Sequence, residues 1–426
     1  MARGVTDRRP GYYDPAVETM APEDRSQFLR ARLKETLQHA AEHAPHLTAR
    51  LEAAGLSLDQ LAEPDDLFRL PPLRKRELPS LQEQAPPFGG LVAVPAHALQ
   101  RIFISPGPIY DPEGCGPNYW RMARAMFAAG FRRGDIVLNT FAYHLTPAGS
   151  MCDEGLAALG CVVVPMGGGN TETQVQVLRD VQATGYVGTP SFLHTILQRA
   201  EEAGIKPLQD LALELAFVSG GMLPESLRTV MHQGYGVSVT QAYATADLGL
   251  IAYECHQRSG MHVAEDLILQ IADPETGQPV PDGMAGEVVV TTFNRVYPLI
   301  RFGTGDLSVL DPAPCGCGRS TPRLTRILGR ADDVTKIRGM FVHPSQLDAV
   351  MVEVPDVTRY QLVVRRAGFE DDLVLRIEAA GSPGDVVARL ESRVREAIKL
   401  RTRVEVVPQG TLPQDAKKIL DERTWE

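Results

Sequence analysis

The chain has 426 residues, too many for one ordinary core, and its 44% apolar and 23% charged content is that of a globular protein of two or three domains, not of a disordered or fibrous one. A formal net charge of −10 argues against a general nucleic-acid binder, which needs a basic face, and against an electrostatic membrane tether. Residues 1–15 carry charges without an apolar run, no stretch approaches the ~20 apolar residues of a spanning helix, and the six cysteines are few, so a soluble cytoplasmic protein with thiols or metal ligands is expected.

In residues 25–47, Phe28, Leu29, Leu33, Leu37, Ala40 and Ala41 keep a helical period, and Pro45 ends that helix or closely follows its end. Residues 70–90, LPPLRKRELPSLQEQAPPFGG, read as an extended connector holding a short helix. From about residue 100, short apolar runs alternate with amphipathic stretches such as TETQVQVLRDVQATG and PSFLHTILQRAEEAG. The runs are RIFIS, DIVLNTF, CVVVPM, YVGTP, LAFVSG and VSVTQAY, several continuously apolar as in strands buried on both faces. Such alternation implies an α/β domain with a mostly parallel sheet.

Residues 261–310 look like β-hairpins with Gly-rich and Pro-rich turns. The last hundred residues read as a small α+β domain, with QLVVRR and LVLRIEA as strands. SPGDVVARLESRVREAIKL reads as a helix with Ser382 as N-cap, Pro383 in its first turn, and Val386, Val387, Leu390, Val394 and Ile398 on one face. The boundary falls near Gly329–Asp333, giving a large domain over 1–329 and a small one over 330–426.

Several ordered segments carry a family pattern: YYDPAVETMAPEDRSQFLRARLKETLQHAAEHAP, VVVPMGGGNTETQVQVLRDVQATGYVGTPSFL, the VSGG turn and GEVVVTTFNRVYPLIRFGTGDLSVL. The most specific is CGCGRSTPRLTRILGRADDVTKIRGMFVHPSQLDAVM. Over nearly its whole length the chain resembles the phenylacetate–CoA ligase branch of the adenylate-forming superfamily. The resemblance implies a large N-terminal domain with mostly parallel sheets and a β-rich subdomain, and a small mobile α+β C-terminal domain. It implies ATP, coenzyme A, Mg2+ and a small carboxylic acid, aromatic or short hydroxy/aliphatic, as ligands. The acid's carboxylate would attack the α-phosphate of ATP, giving acyl-adenylate and pyrophosphate, and the CoA thiol would then take the acyl group. A homodimer is a family-level expectation.

By resemblance, Asp306 in GTGDL accepts the ribose hydroxyls and Arg330 lies against ribose or phosphate, where a fixed fork of donors suits it. Asp332 is the hinge between reaction steps. Ser219, Gly220 and Gly221 line the adenine pocket, where glycines let the backbone approach the ring. In YATAD, Tyr243 stacks near adenine, Thr245 is adjacent to the expected phosphate-contacting hydroxyl position, and Asp247 replaces the family's magnesium-binding glutamate. Phe141, Tyr143, His144, Gly167 and Gly168 are the acid-pocket candidates, His144 orienting the carboxylate or an α-hydroxyl, or serving as an ordinary core or surface histidine. Cys255, His262, Cys315 and Cys317 form a donor set suited to structural tetrahedral zinc. Cys115, Cys152 and Cys161 lack such companions and are expected to be buried or inert.

The chain departs from the family twice. The phosphate loop, FISPGPIYDPEGCGPNYW, keeps Ser105 and Gly107 but loses its other hydroxyls and its lysine, and Pro106 and Pro108 remove two donors. At the C-terminus Asp415 stands at the position of the family's catalytic lysine; Lys417 is near enough to replace it, or Lys417 and Lys418 are solvated. Acylation of a carrier-protein thiol or an amine by the same chemistry, and a non-catalytic nucleotide- or acyl-CoA-binding protein, stand as alternatives.

Overall fold

The structure, a computed structural model, describes residues 8, 10–105, 108–331, 335–337, 340–342, 344–367, 370–379, 383–413 and 417–423. Pro106, Gly107, Asp332, Asp333, Ser382 and Asp415 lie outside the described residues. The chain divides into two compact units, Met1–Thr304 with Val309–Arg326, and Gly305–Ser308 with Ile327–Glu426.

The first unit opens with helices α1 (Pro15–Glu18), α2 (Pro22–His43) and α3 (Pro45–Ala54). Each has a proline in its first turn, where a missing N–H leaves nothing unsatisfied. Pro45 follows the end of α2, as its sequence implies. Leu33, Leu37 and Ala40 of α2 are buried with Leu47 and Leu51 of α3, and with Ile268, Phe293 and Ile300 from the β-rich region. The connector holds a two-residue strand, β1 (Leu73–Arg74), and the short helix α4 (Leu78–Gln84).

Strands β2 (Leu99–Ser105) and β3 (Ile109–Gly114) pair with each other in a separate antiparallel sheet. This corrects the reading of RIFIS as a member of the parallel sheet. Only three residues separate the strands, and a parallel crossover needs about a dozen or more.

An α/β succession follows: α5 (Met122–Ala128), β4 (Ile136–Asn139), α6 (Ala148–Ala158), β5 (Val162–Pro165), α7 (Thr171–Asp180), β6 (Gly185–Gly188), α8 (Pro190–Glu202), α9 (Pro207–Asp210), β7 (Leu215–Val218), α10 (Glu225–Tyr235) and β8 (Ser238–Thr245). The strands lie parallel in the order β5-β4-β6-β7-β8. Leu138, Tyr186, Ala216, Val218 and Val239 of that sheet pack against Leu178, Leu193, Ile196 and Met231 of the helices. β6 and β7 are buried throughout, as their apolar runs imply. CVVVPM is not: β5 is the edge strand and Val162 is 57% exposed, because an edge is covered from one side only.

Beyond β8 the sheet turns antiparallel with β9 (Gly249–Glu254), β10 (Met261–Val263), β11 (Leu267–Ala272), β12 (Gly286–Thr292), β13 (Phe302–Asp311) and β14 (Arg323–Arg330). The full order is β11-β12-β13-β14-β10-β9-β8-β7-β6-β4-β5, with β1 parallel to β13.

In the second unit come β15 (Thr335–Ile337), β16 (Met340–Val342), α11 (Pro344–Val352), β17 (Val357–Ala367), β18 (Glu370–Ala379), α12 (Pro383–Ile398), β19 (Arg403–Val406) and β20 (Ile419–Asp421). The strand order β19-β18-β17-β20 forms one sheet. Val386, Leu390, Val394 and Ile398 of α12 pack on Leu362, Val364 and Leu375, with Val387 partly buried beside them. The helical period in the sequence names this face correctly.

Candidate active site

Parallel strands deliver their loops to the carboxyl edge of the sheet, where α/β proteins bind ligands. β4, β5 and β7 end at Asn139, Pro165 and Val218, and each is followed there by a loop carrying predicted site residues. A Cβ placed on Gly220 would stand 3.6 Å from the Phe141 ring and 3.8 Å from Thr189. One on Gly167 would stand 4.0 Å from the Phe141 carbonyl, and one on Gly168 4.0 Å from that of Thr140. Gly167 and Gly220 have φ of +67° and +69°, a region side-chain-bearing residues rarely adopt. Ser219 donates its backbone N–H to Gly188 over 3.1 Å. Phe141, Gly167, Gly168 and the Ser219–Gly221 turn are thus brought together, although Phe141 and Gly221 are 80 residues apart in the chain.

The loop after β4 is held by Asn139, a residue that sequence reasoning missed. Its buried amide donates to Tyr143 Oη and to the Gly149 carbonyl, both over 2.8 Å, and its carbonyl oxygen accepts from Phe141 N over 3.2 Å. Burial pushes the Tyr143 phenol up, so it remains a neutral donor and acceptor. His144 is exposed at the loop tip. Asn139→Ala leaves those groups unsatisfied, and a cost of about 1–3 kcal/mol is expected in urea unfolding, together with a raised KM for the acid.

Tyr243 and Thr245 close β8, beside a register shift between Tyr243 and Ala244. Thr245 Oγ1 accepts from Leu248 N over 3.2 Å and so closes the turn that presents Asp247. Asp247 is buried, and its Oδ2 accepts from Lys75 Nζ over 2.7 Å. Lys75 lies 172 residues away in the connector and was not recognised as a site residue; nothing local in RKREL marks it. Ser105 is buried at the end of β2. Asp111 was also missed. Its only local signal is a carboxylate two residues after Ile109, on the same face of a strand and buried.

In the second unit, Arg330 Nη1 approaches Asp306 Oδ1 to 3.3 Å. Both predicted ribose residues therefore meet, the guanidinium steadying the carboxylate. Lys417 is exposed, with its backbone carbonyl accepting from Gln361 Nε2 over 2.9 Å. Lys418 instead pairs with Asp348 over 2.6 Å.

The donor atoms of Cys255, His262, Cys315 and Cys317 all lie within 4.8 Å of one another. Cys255 Sγ and Cys315 Sγ are 3.8 Å apart, and Cys317 Sγ lies 3.3 Å from His262 Nε2. Tetrahedral zinc with Zn–S bonds of about 2.3 Å sets its sulfurs about 3.8 Å apart, so the residues fit the metal. Carbonyl oxygen of Thr321 lies 3.2 Å from His262 Nδ1, which orients Nε2 toward the other donors. The Cys255 thiol and the His262 ring hold Cys317 far below the usual thiol range despite burial, as a thiolate ligand requires. Of the other cysteines, Cys152 is buried, Cys161 half-buried and Cys115 exposed after the β2–β3 hairpin.

A parallel sheet with a Gly-lined carboxyl edge, followed by a separate small sheet domain, defines an adenylate-forming enzyme. Residues 118–294 match the AMP-binding enzyme family, and residues 339–423 match the AMP-binding enzyme C-terminal domain. Phenylacetate-coenzyme A ligase of Thermus thermophilus is 32% identical over 96% of this chain and 99% of its own length. That of Pseudomonas putida is 31% identical over 95% of each. The open conformation of 2-hydroxyisobutyryl-CoA ligase, in complex with 2-HIB-AMP and CoA, superposes with a TM-score of 0.85 at 27% identity, covering 99% of this chain and 96% of that one. The chain belongs to the phenylacetate-coenzyme A ligase family.

Proposed function

We propose that this chain is an AMP-forming acid–CoA ligase for a small carboxylic acid, aromatic or short hydroxy/aliphatic. ATP and the acid give acyl-adenylate and pyrophosphate, and coenzyme A then takes the acyl group as a thioester. One observation carries this reading: family likeness spans almost the whole chain, and the loops at the carboxyl edge of the parallel sheet gather around Phe141, Gly167 and Gly220.

In this reading the Ser219–Gly221 turn and Tyr243 receive the adenine, and Asp306, steadied by Arg330, receives the ribose hydroxyls. Phe141 and Tyr143 form the wall against which the acid lies, with the glycines leaving room for it. His144, exposed at the tip of the loop, orients the acid's polar end. Adenylation brings a carboxylate to a polyphosphate, so positive charge must gather there. Lys75 supplies one charge beside Asp247, and Lys417 supplies another from the second domain. Asp247 would hold magnesium, which screens phosphate charge when bound; its buried Oδ1 has no donor among the described residues, as such a ligand atom requires. The segment around Asp332 serves as the hinge that turns residues 330–426 between the two steps. Zinc at Cys255, His262, Cys315 and Cys317 is structural and ties β9 and β10 to the segment before β14. Thiolate ligands of this kind accord with a reducing cytoplasm. Among the described residues, no helix is long and apolar enough to cross a membrane.

The test is carboxylate-dependent pyrophosphate release across a panel of acids, with and without CoA. Release with at least one small acid, and thioester formation when CoA is added, are expected. No turnover with any acid, alongside measurable AMP or acyl-CoA binding, would replace the ligase with a binding protein. Adenylation without CoA use would move the acceptor to a carrier thiol or an amine.

A further inference from the structure

The β2–β3 hairpin stands where the family's phosphate loop carries a lysine, and in this chain it carries a buried carboxylate. Register pairs Phe103 with Asp111 and Ser105 with Ile109, so Ser105 and Asp111 point to the same face of the hairpin. Asp111 is 0% exposed, and among the described residues neither of its carboxylate oxygens has a donor at full hydrogen-bond geometry, although the Ser105 hydroxyl lies near enough to pull its carboxyl down against burial. Asp247 faces it: burial, then the Asp247 charge, raises the Asp111 carboxyl to about 8. Oδ1 of Asp247 also lacks a donor, since Lys75 occupies only Oδ2. Two further buried oxygens belong to the same surroundings, Ser105 Oγ and Tyr297 Oη, in residues 4% and 2% exposed; among the described residues neither makes a hydrogen bond of full geometry, and the Ser105 hydroxyl bears on Asp111. Tyr297 feels both carboxylates, whose charges add to burial in raising its phenol.

Two carboxyl groups and one ammonium are shut away from water, and five oxygen atoms lack a hydrogen-bond partner among the described residues. Such an arrangement is costly unless a shared proton or a cation completes it. The donors are all hard oxygens, two of the four groups are carboxylates, and the adjoining loop is a phosphate loop by family. Magnesium and manganese take one or two carboxylates and complete their shell with water and phosphate oxygens.

We propose that Asp111 joins Asp247 in holding one divalent cation, Mg2+ or Mn2+, against Ser105, so that the buried aspartate of the altered loop becomes a second carboxylate ligand. This rests on the ligase reading for its purpose, but not for its geometry. Asp111 is a ligand that the family motif does not contain.

The test is Mn2+ binding, followed by electron paramagnetic resonance and calorimetry, on the full chain with and without α,β-methylene-ATP. Wild type is expected to bind one Mn2+ at this site, tighter with the nucleotide analogue. Asp111→Asn should weaken that binding at least tenfold, and Asp247→Asn should weaken it similarly from the other side. Asp111→Lys should abolish it. Exchange of the buried carboxylate for an isosteric amide relieves repulsion, so the variant should fold, and its thermal midpoint checks this. Equal Mn2+ affinity in wild type and Asp111→Asn would overturn the proposal, and so would a wild type that binds no Mn2+; the carboxylates would then share a proton. AMP binding by wild type, measured alongside, separates the two levels. A protein that binds AMP but shows no Asp111-dependent Mn2+ loses the metal site and keeps the ligase reading. One that binds Mn2+ through Asp111 but no nucleotide keeps the site and loses that reading.

Discussion

Asp306→Ala should lower kcat/KM for ATP in carboxylate-dependent pyrophosphate exchange by at least about a hundredfold. The carboxylate would accept from two ribose hydroxyls, and a hydrogen bond to a charged group contributes roughly 1.5–3 kcal/mol, so losing both removes roughly 3 kcal/mol or more. Ribose is present in ATP and in the acyl-adenylate alike, so thioester formation from added acyl-adenylate should fall with adenylation. Arg330→Ala should do less, about tenfold, because Arg330 acts partly by steadying Asp306 across 3.3 Å. Unchanged kinetics in Asp306→Ala would remove that residue from the nucleotide site, and an Arg330→Ala defect larger than that of Asp306→Ala would reverse their roles.

Loss of the zinc site should be the largest effect on stability. Cys317→Ser is expected to purify without stoichiometric zinc and to melt about 10 °C below wild type, reflecting a loss of roughly 3–5 kcal/mol. The reason is local. Cys255 follows β9, His262 lies in β10, and Cys315 and Cys317 lie in the irregular segment between β13 and β14, so one ion would cross-link three pieces of chain. Without it, those pieces are joined there only by weak contacts among four side chains within 4.8 Å of one another and their neighbours. Chelation of wild type should reproduce the shift, and zinc should restore it. Wild type that carries no metal and melts no lower after chelation would dispose of the site.

Much of the fold is legible in the chain because local periodicity sets it. Leu33, Leu37 and Ala40 repeat at helical spacing and form the buried stripe of α2. The face of α12 can be read residue by residue in the same way. Apolar runs are ambiguous on two counts, however. RIFIS and CVVVPM look alike in sequence, yet one forms half of a separate hairpin and the other an exposed edge strand. Neither pairing direction nor place in a sheet is encoded in a single strand; both depend on what the strand meets.

The candidate site divides along the same line. Motifs with short internal spacing, VSGG and GTGDL, draw attention to their residues because they match the family pattern in order, and the cysteine pairs do so by residue type. Three of the structurally decisive residues give no such sign. Asn139 matters because it bonds across a loop to Gly149, ten residues on. Lys75 matters because a connector near the N-terminus passes a turn 172 residues later. Asp111 matters because folding seals it against Asp247, away from water.

From its sequence alone this chain is determined as an α/β protein with a small second domain, since those traits rest on periodicity; its family is read from resemblance over ordered motifs, and Cys255, His262, Cys315 and Cys317 are read as a set of residue types suited to a metal. Tertiary structure alone decided which charges face one another: Lys75 beside Asp247, and Asp111 buried against the same carboxylate. The physical reason is that an ionised side chain takes its energy from burial and from neighbours distant in the chain, and neither quantity exists until the sheet has closed around it.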